Sequence, residues 1–342
     1  MDGGGALGGG AAVSVAQAKT GRLSLPKEEF RTRLLRWYDA NRRDLPWRRS
    51  HDPYRIWLSE IMLQQTRVNA VVEHYQRFLQ RFPTIEKLAA ARESSVLAAW
   101  SGLGYYRRAR MLHAAAKQVV GEYGGRFPST IEGLRELPGI GRYTAAAIAS
   151  IAYGEPAAVV DGNVERVLGR VVGKALSGEA LWNAAGEFLD RERPGDFNQA
   201  MMELGATVCL PRGATCVSCP VLGLCATQGD GLKAAASPRQ KKRAIGYRLA
   251  CRNGSVFLVQ RPLSVSLMPG MWELPEVQSK DGTNGTCLTV RHSITVTDYT
   301  VWVQRGAAPR RAGKWVRRSR LATLPLTGLA RKILRVAEIM GG

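Results

Sequence analysis

Four cysteines within 17 residues constrain this chain more than any other feature. Cys209, Cys216, Cys219 and Cys225 follow the spacing C-x6-C-x2-C-x5-C and account for four of its six cysteines. Free, exposed thiols so close together would oxidise, so the stretch reads as a loop folded around one centre: a metal or cluster site suited to a reducing cytosol, not a disulfide framework. The spacing alone admits zinc, although zinc loops usually offer two close cysteine pairs and this one has a single close pair.

The charge says what surrounds that loop. Lys and Arg number 49 against 28 Asp and Glu, a net +21 in 342 residues, and from residue 231 onward 20 basic residues face 5 acidic ones. A chain this basic suits a polyanion, and nucleic-acid phosphate is the first candidate. Its length points to two domains. No apolar run approaches the ~20 residues that span a bilayer, which argues against a membrane protein. Residues 1–21 are Gly/Ala-rich and read as a disordered tail.

A second motif joins the loop in Leu137-Pro-Gly-Ile-Gly-Arg-Tyr143. Gly139 and Gly141 precede a helical run, Thr144 to Tyr153, and allow backbone N–H groups to approach a phosphate; a plain helix–helix turn is the other reading. Asp161 follows, placed to cap the next helix and to return to the same cleft. Upstream, Pro26 opens a helix with Phe30, Leu34, Leu35 and Tyr38 on one face. The segment 42–48 is a basic loop in which Trp47 lines a pocket or fills the core. A long helix is expected from Tyr54 to about Leu79, with Glu60 on a face with Ile56, Trp57, Leu63 and Gln64; such a carboxyl is either partly desolvated, keeping a proton near neutral pH, or an ordinary helix glutamate. Residues 85–121 read as short helices interrupted at Gly102-Leu-Gly-Tyr105-Tyr106-Arg-Arg108, whose aromatics are a wedge for a base stack or core tyrosines. Helices are expected at 161–173, 178–192 and 195–209, a linker at 231–245, and period-two strands beyond it at 247–251, 255–260 and 299–304, making the last part α+β.

Together LPGIG-x-Y, the later Asp161, SEIMLQQTRV around Glu60 and the cysteine spacing resemble the helix-hairpin-helix DNA glycosylases, over about residues 27–230 and more weakly over 245–342, and within them the MutY-type adenine DNA glycosylases. The resemblance implies a mostly α, two-lobed helix-hairpin-helix domain at 22–230 with a [4Fe–4S] cluster on Cys209, Cys216, Cys219 and Cys225, and a small α+β Nudix-like domain at 246–342. It implies Glu60 as the residue that protonates adenine, and Asp161 as the carboxylate facing the sugar, oriented by Tyr143 and Asn163. It places Gln65 and Thr66 against DNA, Leu103 at the opposite base, Tyr105 as the intercalating residue, and Gly139 and Gly141 on the backbone. Tyr143 stands where endonuclease III types carry a lysine nucleophile, which implies a monofunctional enzyme that leaves an abasic site. Leu267-Met-Pro-Gly-Met-Trp-Glu-Leu-Pro275 is similar to a Nudix-like segment, without the acidic box that binds magnesium, and with room for only a shortened helix before Arg291. The turn that reads 8-oxoguanine in the family matches His292-Ser293-Ile294-Thr295-Val296, where Ser293 or Thr295 supplies a hydroxyl and the family's histidine is replaced. The implied partner is double-stranded DNA with A opposite 8-oxoguanine or G, and the implied protein is a monomer, cytoplasmic in the bacterial manner and active at the nucleoid. Thymine- or uracil-mismatch glycosylases share LPG-x-G-x-YT and remain an alternative, as does a non-catalytic DNA-binding protein.

Overall fold

The structure is a computed structural model and describes residues 26–228, 241–277, 286–294 and 297–340. The tail, most of the linker, the segment expected to hold the shortened helix, and Thr295 and Val296 lie outside the described residues.

Eleven helices form the first part: α1 Lys27–Asn41, α2 Pro53–Leu63, α3 Val68–Arg81, α4 Ile85–Ala89, α5 Glu93–Trp100, α6 Tyr106–Tyr123, α7 Ile131–Arg135, α8 Arg142–Tyr153, α9 Gly162–Val172, α10 Gly178–Phe188 and α11 Pro194–Thr207. Phe30, Leu34, Leu35 and Tyr38 of α1 are buried as their spacing requires. The helix expected from Tyr54 to Leu79 is two helices. Gln65 sits in the left-handed region with φ +56°, so the chain turns between α2 and α3. Arg108 holds the break: its Nη1 donates to the carbonyls of Ile61, Met62 and Gln64, satisfying groups that a continuing helix would have paired. The sequence pattern missed this because the stabilising side chain lies more than forty positions away. Likewise, the expected short helices over 85–121 give way, after α4 and α5, to α6, which runs for 18 residues.

Alanines in α8 allow tight packing, with Thr144 to Ile151 all buried. A Cβ at Gly205 would lie 2.5 Å from the Asn163 Cβ, so this glycine lets α11 approach the start of α9.

The last part is built on β1 Lys241–Leu249, β2 Cys251–Arg252, β3 Ser255–Gln260, β4 Trp272–Glu273, β5 Glu276–Val277, β6 Thr286–Ile294, β7 Thr297–Arg305 and β8 Lys314–Arg317, followed by α12 Gly328–Val336. One sheet runs β5-β1-β7-β6 with β1 and β7 parallel, and the other joins β2, β3, β8 and β4. Its core, centred on Val256, Leu258, Val301, Val303 and Ile333, is separate from the large helical core. Met271 is the exception, because it packs into the helical core from the strand side. This α+β region meets the expectation. No described helix is long and apolar enough to cross a membrane.

Candidate active site

A cleft of about 510 Å³ opens between the helices, lined among others by Trp47, Glu60, Gln65, Thr66, Tyr143, Asp161 and Asn163. These residues come from four separate segments of the chain, and α11 closes the cleft with Gln199, Met202 and Glu203.

Glu60 lies on the inner face of α2 and is 6% exposed. Burial pushes its carboxyl up to about 7; the hydrogen bond from Tyr143 and the charge of Arg48 oppose this, and Asp161 adds to it. The Tyr143 hydroxyl donates to Glu60 Oε2 at 2.7 Å. Burial raises the tyrosine's own pKa well above its ordinary range, with the two carboxyls adding to the effect, so it serves here as a donor. The result is a carboxyl that still holds a proton near neutral pH.

Asp161 is held by a different set of contacts. It caps α9, where its Oδ1 accepts from the backbone N–H groups of Asn163 at 2.9 Å and Val164 at 2.8 Å, and its Oδ2 accepts from Asn163 Nδ2 at 2.8 Å. These three donors at the helix N-terminus fix the orientation of the carboxyl. Capping and facing the cleft are therefore two roles of one residue. Asn163 is fixed in turn by Arg166, whose Nη2 donates to Asn163 Oδ1 at 2.7 Å and whose Nε donates to the Cys209 carbonyl at 2.8 Å. A continuous chain of hydrogen bonds thus runs from Asp161 to the start of the cysteine loop.

Glu203 escaped the sequence reading. Its side chain is 1% exposed, and it accepts from Arg43 at 2.7 Å through both Nε and Nη2 and from Arg48 at 2.8 Å. Burial raises its pKa, but the two arginines outweigh burial and bring it down to about 2. Glu203 thus pairs with Arg48, the cation whose charge acts on Glu60. A glutamate amid the apolar residues of Met201–Leu204 was the available signal. Trp47 meets both of its readings, being 7% exposed, edge-on to Tyr75 at 5.4 Å, and part of the cleft wall.

The segment 102–105 lies apart. Tyr105 is 42% exposed and left-handed at φ +47°, a strained conformation for a residue with a side chain. Leu103 is buried in the helical core, so of the two residues expected to reach DNA only the tyrosine is presented. Tyr106 is buried too, so the core reading holds for that ring. In the hairpin, Gly139 needs its φ of +80°, and Met111 fills the place of a Cβ; Gly141 caps α8 and faces open space. Ser293, on the β6 end, is exposed and donates to Asp298 Oδ1 at 2.6 Å, so its hydroxyl is already engaged.

The four thiols lie near one another. Cys219 is pushed up to about 11, by burial first and then by Cys209, Cys225 and Cys216 beside it. Arg170 is 8% exposed; its Nη1 donates to Cys209 Sγ at 3.1 Å and to the Leu210 carbonyl at 2.8 Å, and among the described residues no carboxylate pairs with it. Among those residues no three His, Cys, Asp or Glu side chains are already drawn together as a metal cage.

Residues 58–175 match the family of HhH-GPD superfamily base excision DNA repair proteins. The human adenine DNA glycosylase is 51% identical over 211 residues, 57% of this chain and 39% of the relative; that of Arabidopsis thaliana is 40% identical over 303 residues, 73% of this chain and 48% of the relative. The chain thus spans less than half the length of these two relatives. Among solved structures, a thermostable thymine-DNA glycosylase is 32% identical with a TM-score of 0.56, covering 60% of this chain and 97% of that one. The family match runs from α2 to α9 and includes the hairpin, and the chain belongs to the HhH-GPD superfamily of base excision DNA repair proteins.

Proposed function

We propose that the chain is a monofunctional adenine DNA glycosylase that removes adenine paired with 8-oxoguanine or guanine in duplex DNA and leaves an abasic site. The observation that carries this reading is the pair of carboxyls in one cleft, one buried to hold a proton and the other fixed as the cap of α9. Its support from relatives is the human and Arabidopsis adenine DNA glycosylases.

Adenine is extruded from the stack into the cleft, with Tyr105 wedged into the gap and Gln65 and Thr66 against the opened pair. Glu60 gives its proton to N7 of adenine. The N-glycosidic bond breaks, its electron pair leaves with the base, and the sugar becomes oxocarbenium-like. Asp161 stabilises that charge or adds to the anomeric carbon, and water completes the abasic site as Glu60 recovers a proton. Asn163 and Tyr143 hold the two carboxyls. Tyr143 has no amine for a Schiff base, so strand cleavage does not follow.

Cys209, Cys216, Cys219 and Cys225 would hold a [4Fe–4S] cluster. The fit rests on four cysteines of one loop near enough to act on Cys219, and on the buried Arg170 beside Cys209, a cation with no carboxylate among the described residues, which thiolates would neutralise. Bound there, the cluster would shape the basic loop around Arg212 for the DNA backbone. We read residues 22–230 as the glycosylase domain and 246–342 as a shortened Nudix-like domain. The two-sheet α+β architecture supports the second assignment, and the hydroxyl of Ser293 or Thr295 would supply the contact to the opposite base.

Single-turnover base release from duplexes carrying A opposite 8-oxoguanine, A opposite G, T opposite G and U opposite G tests the reading. Adenine release from the first, and more slowly from the second, is expected. Release of T or U instead would move the chain beside the thymine-DNA glycosylase it resembles in fold and sequence.

A further inference from the structure

Ser101 and Tyr106 flank the segment 102–105, are 5% and 3% exposed, and take no part in lining the cleft. Their hydroxyls converge on one carbonyl, that of Leu326, at 2.8 Å from Ser101 and 3.0 Å from Tyr106. Leu326 belongs to the C-terminal part and leads directly into α12, whose N-cap is Thr327. One turn further along, Arg331 Nε donates back to Ser101 Oγ at 3.0 Å. Beside this cluster, Arg110 Nη2 reaches the Pro269 carbonyl at 2.6 Å, and Met271 packs into the helical core. The base of the wedge is therefore fastened to the second part of the chain by direct, buried hydrogen bonds.

The other side of α12 carries β6. Lys332 Nζ donates to the Arg291 carbonyl at 2.6 Å, and the His292 ring lies beside Gly328. The strand that carries Ser293 and the segment that presents Tyr105 thus grip a single helix, of nine residues and about 13 Å at 1.5 Å per residue. Arg331 is not an ordinary ion pair: among the described residues no carboxylate lies within bridging distance, and Arg77 and Arg335 are its charged neighbours. A guanidinium kept in such a place, hydrogen-bonded to one serine hydroxyl, fixes a geometry at an electrostatic cost.

We propose that α12 is a strut that sets the wedge at Tyr105 against the strand that meets the opposite base, with Arg331 and Ser101 as its positioning residues. The inference rests on the adenine glycosylase reading, because it assigns to the strut the alignment of two contacts on one duplex. Contact of β6 with the opposite base then favours the wedge position in which adenine is extruded. The ability to distinguish 8-oxoguanine from guanine depends on residues that touch neither base.

The experiment compares the full-length parent with Arg331→Met, Arg331→Lys and Ser101→Ala. It measures single-turnover adenine release opposite 8-oxoguanine and opposite guanine, together with amide hydrogen exchange over residues 101–106. For Arg331→Met and Ser101→Ala the ratio of the two rates is expected to fall about tenfold, through the 8-oxoguanine duplex alone. The double variant is expected to do no more than either single one, Arg331→Lys to recover part of the ratio, and exchange at 101–106 to rise with release opposite guanine unchanged. Equal loss on both duplexes, an unchanged ratio, or a parent that does not distinguish the two duplexes overturns the proposal. A parent that releases no adenine defeats the functional reading instead. Exchange at 101–106 then decides the strut by itself, and unaltered exchange in Arg331→Met refutes it.

Discussion

Glu60 and Ser293 are both polar side chains to which the sequence assigns work on DNA, and the molecule places them in opposite settings. Glu60 is enclosed by α2, α8 and α11, its acidity set by burial, Tyr143, Asp161 and Arg48. Ser293 lies on an exposed strand end and spends its hydroxyl on Asp298. On the proposed function the cleft serves chemistry that requires desolvation, whereas the β6 end serves contact with the opposite base and stays open. Substitutions should therefore act through function in the cleft and barely at all at the strand end.

The largest expected effect is from Glu60→Gln or Asp161→Asn. Each should lower single-turnover adenine release by at least about a hundredfold while leaving duplex binding intact in a gel-shift assay. Glu60→Gln has a second signature. The folded-state pKa of Glu60 lies near 7, above the ordinary 4.5 of the unfolded chain, so stability is fully present below 4.5 and is lost as pH rises toward 7. The variant avoids that loss. Its Tm should exceed the parent's at pH 8, by an amount reflecting at most about 3 kcal/mol, with little difference at pH 4.

Next in size is the cysteine loop. Cys219→Ser should remove iron and visible absorbance from the purified protein and lower Tm by roughly 5 °C or more, while iron retained at parent levels would refute the ligand set. Arg108→Met leaves the carbonyls of Ile61, Met62 and Gln64 without their donor and should cost about 2–4 kcal/mol in denaturant unfolding. The pH profile follows: with Glu60 active as an acid, the rate should be level below about 7 and fall toward tenfold per unit above it. A flat profile to pH 9 would remove Glu60 from proton transfer. Smallest is Ser293→Ala, expected to change the preference for 8-oxoguanine by no more than about threefold because its hydroxyl already has a partner. A loss comparable to that of Glu60→Gln would erase the contrast between the two regions.

Local pattern made much of this readable. Helical spacing gave the buried face of α1, the glycines gave the hairpin, and Asp161 before Val164-Glu-Arg-Val was a cap on chemical grounds alone. The break between α2 and α3 was hidden because it depends on Arg108, and Leu103 looked presentable because nothing adjacent in sequence reveals what covers it. Glu203 went unnoticed for the same reason, its two arginine partners lying 155 and 160 positions away.

By itself the sequence determined most of the helices, three of the strand regions, the hairpin, the spacing of four cysteines in one loop and the residue types available for catalysis, since these follow from periodicity, capping and spacing along the chain. Only the tertiary structure decided which glutamate keeps a proton, which tyrosine faces outward and which arginines are neutralised. Burial and electrostatic neighbourhood are set by segments far apart in sequence, and no short window of residues contains them.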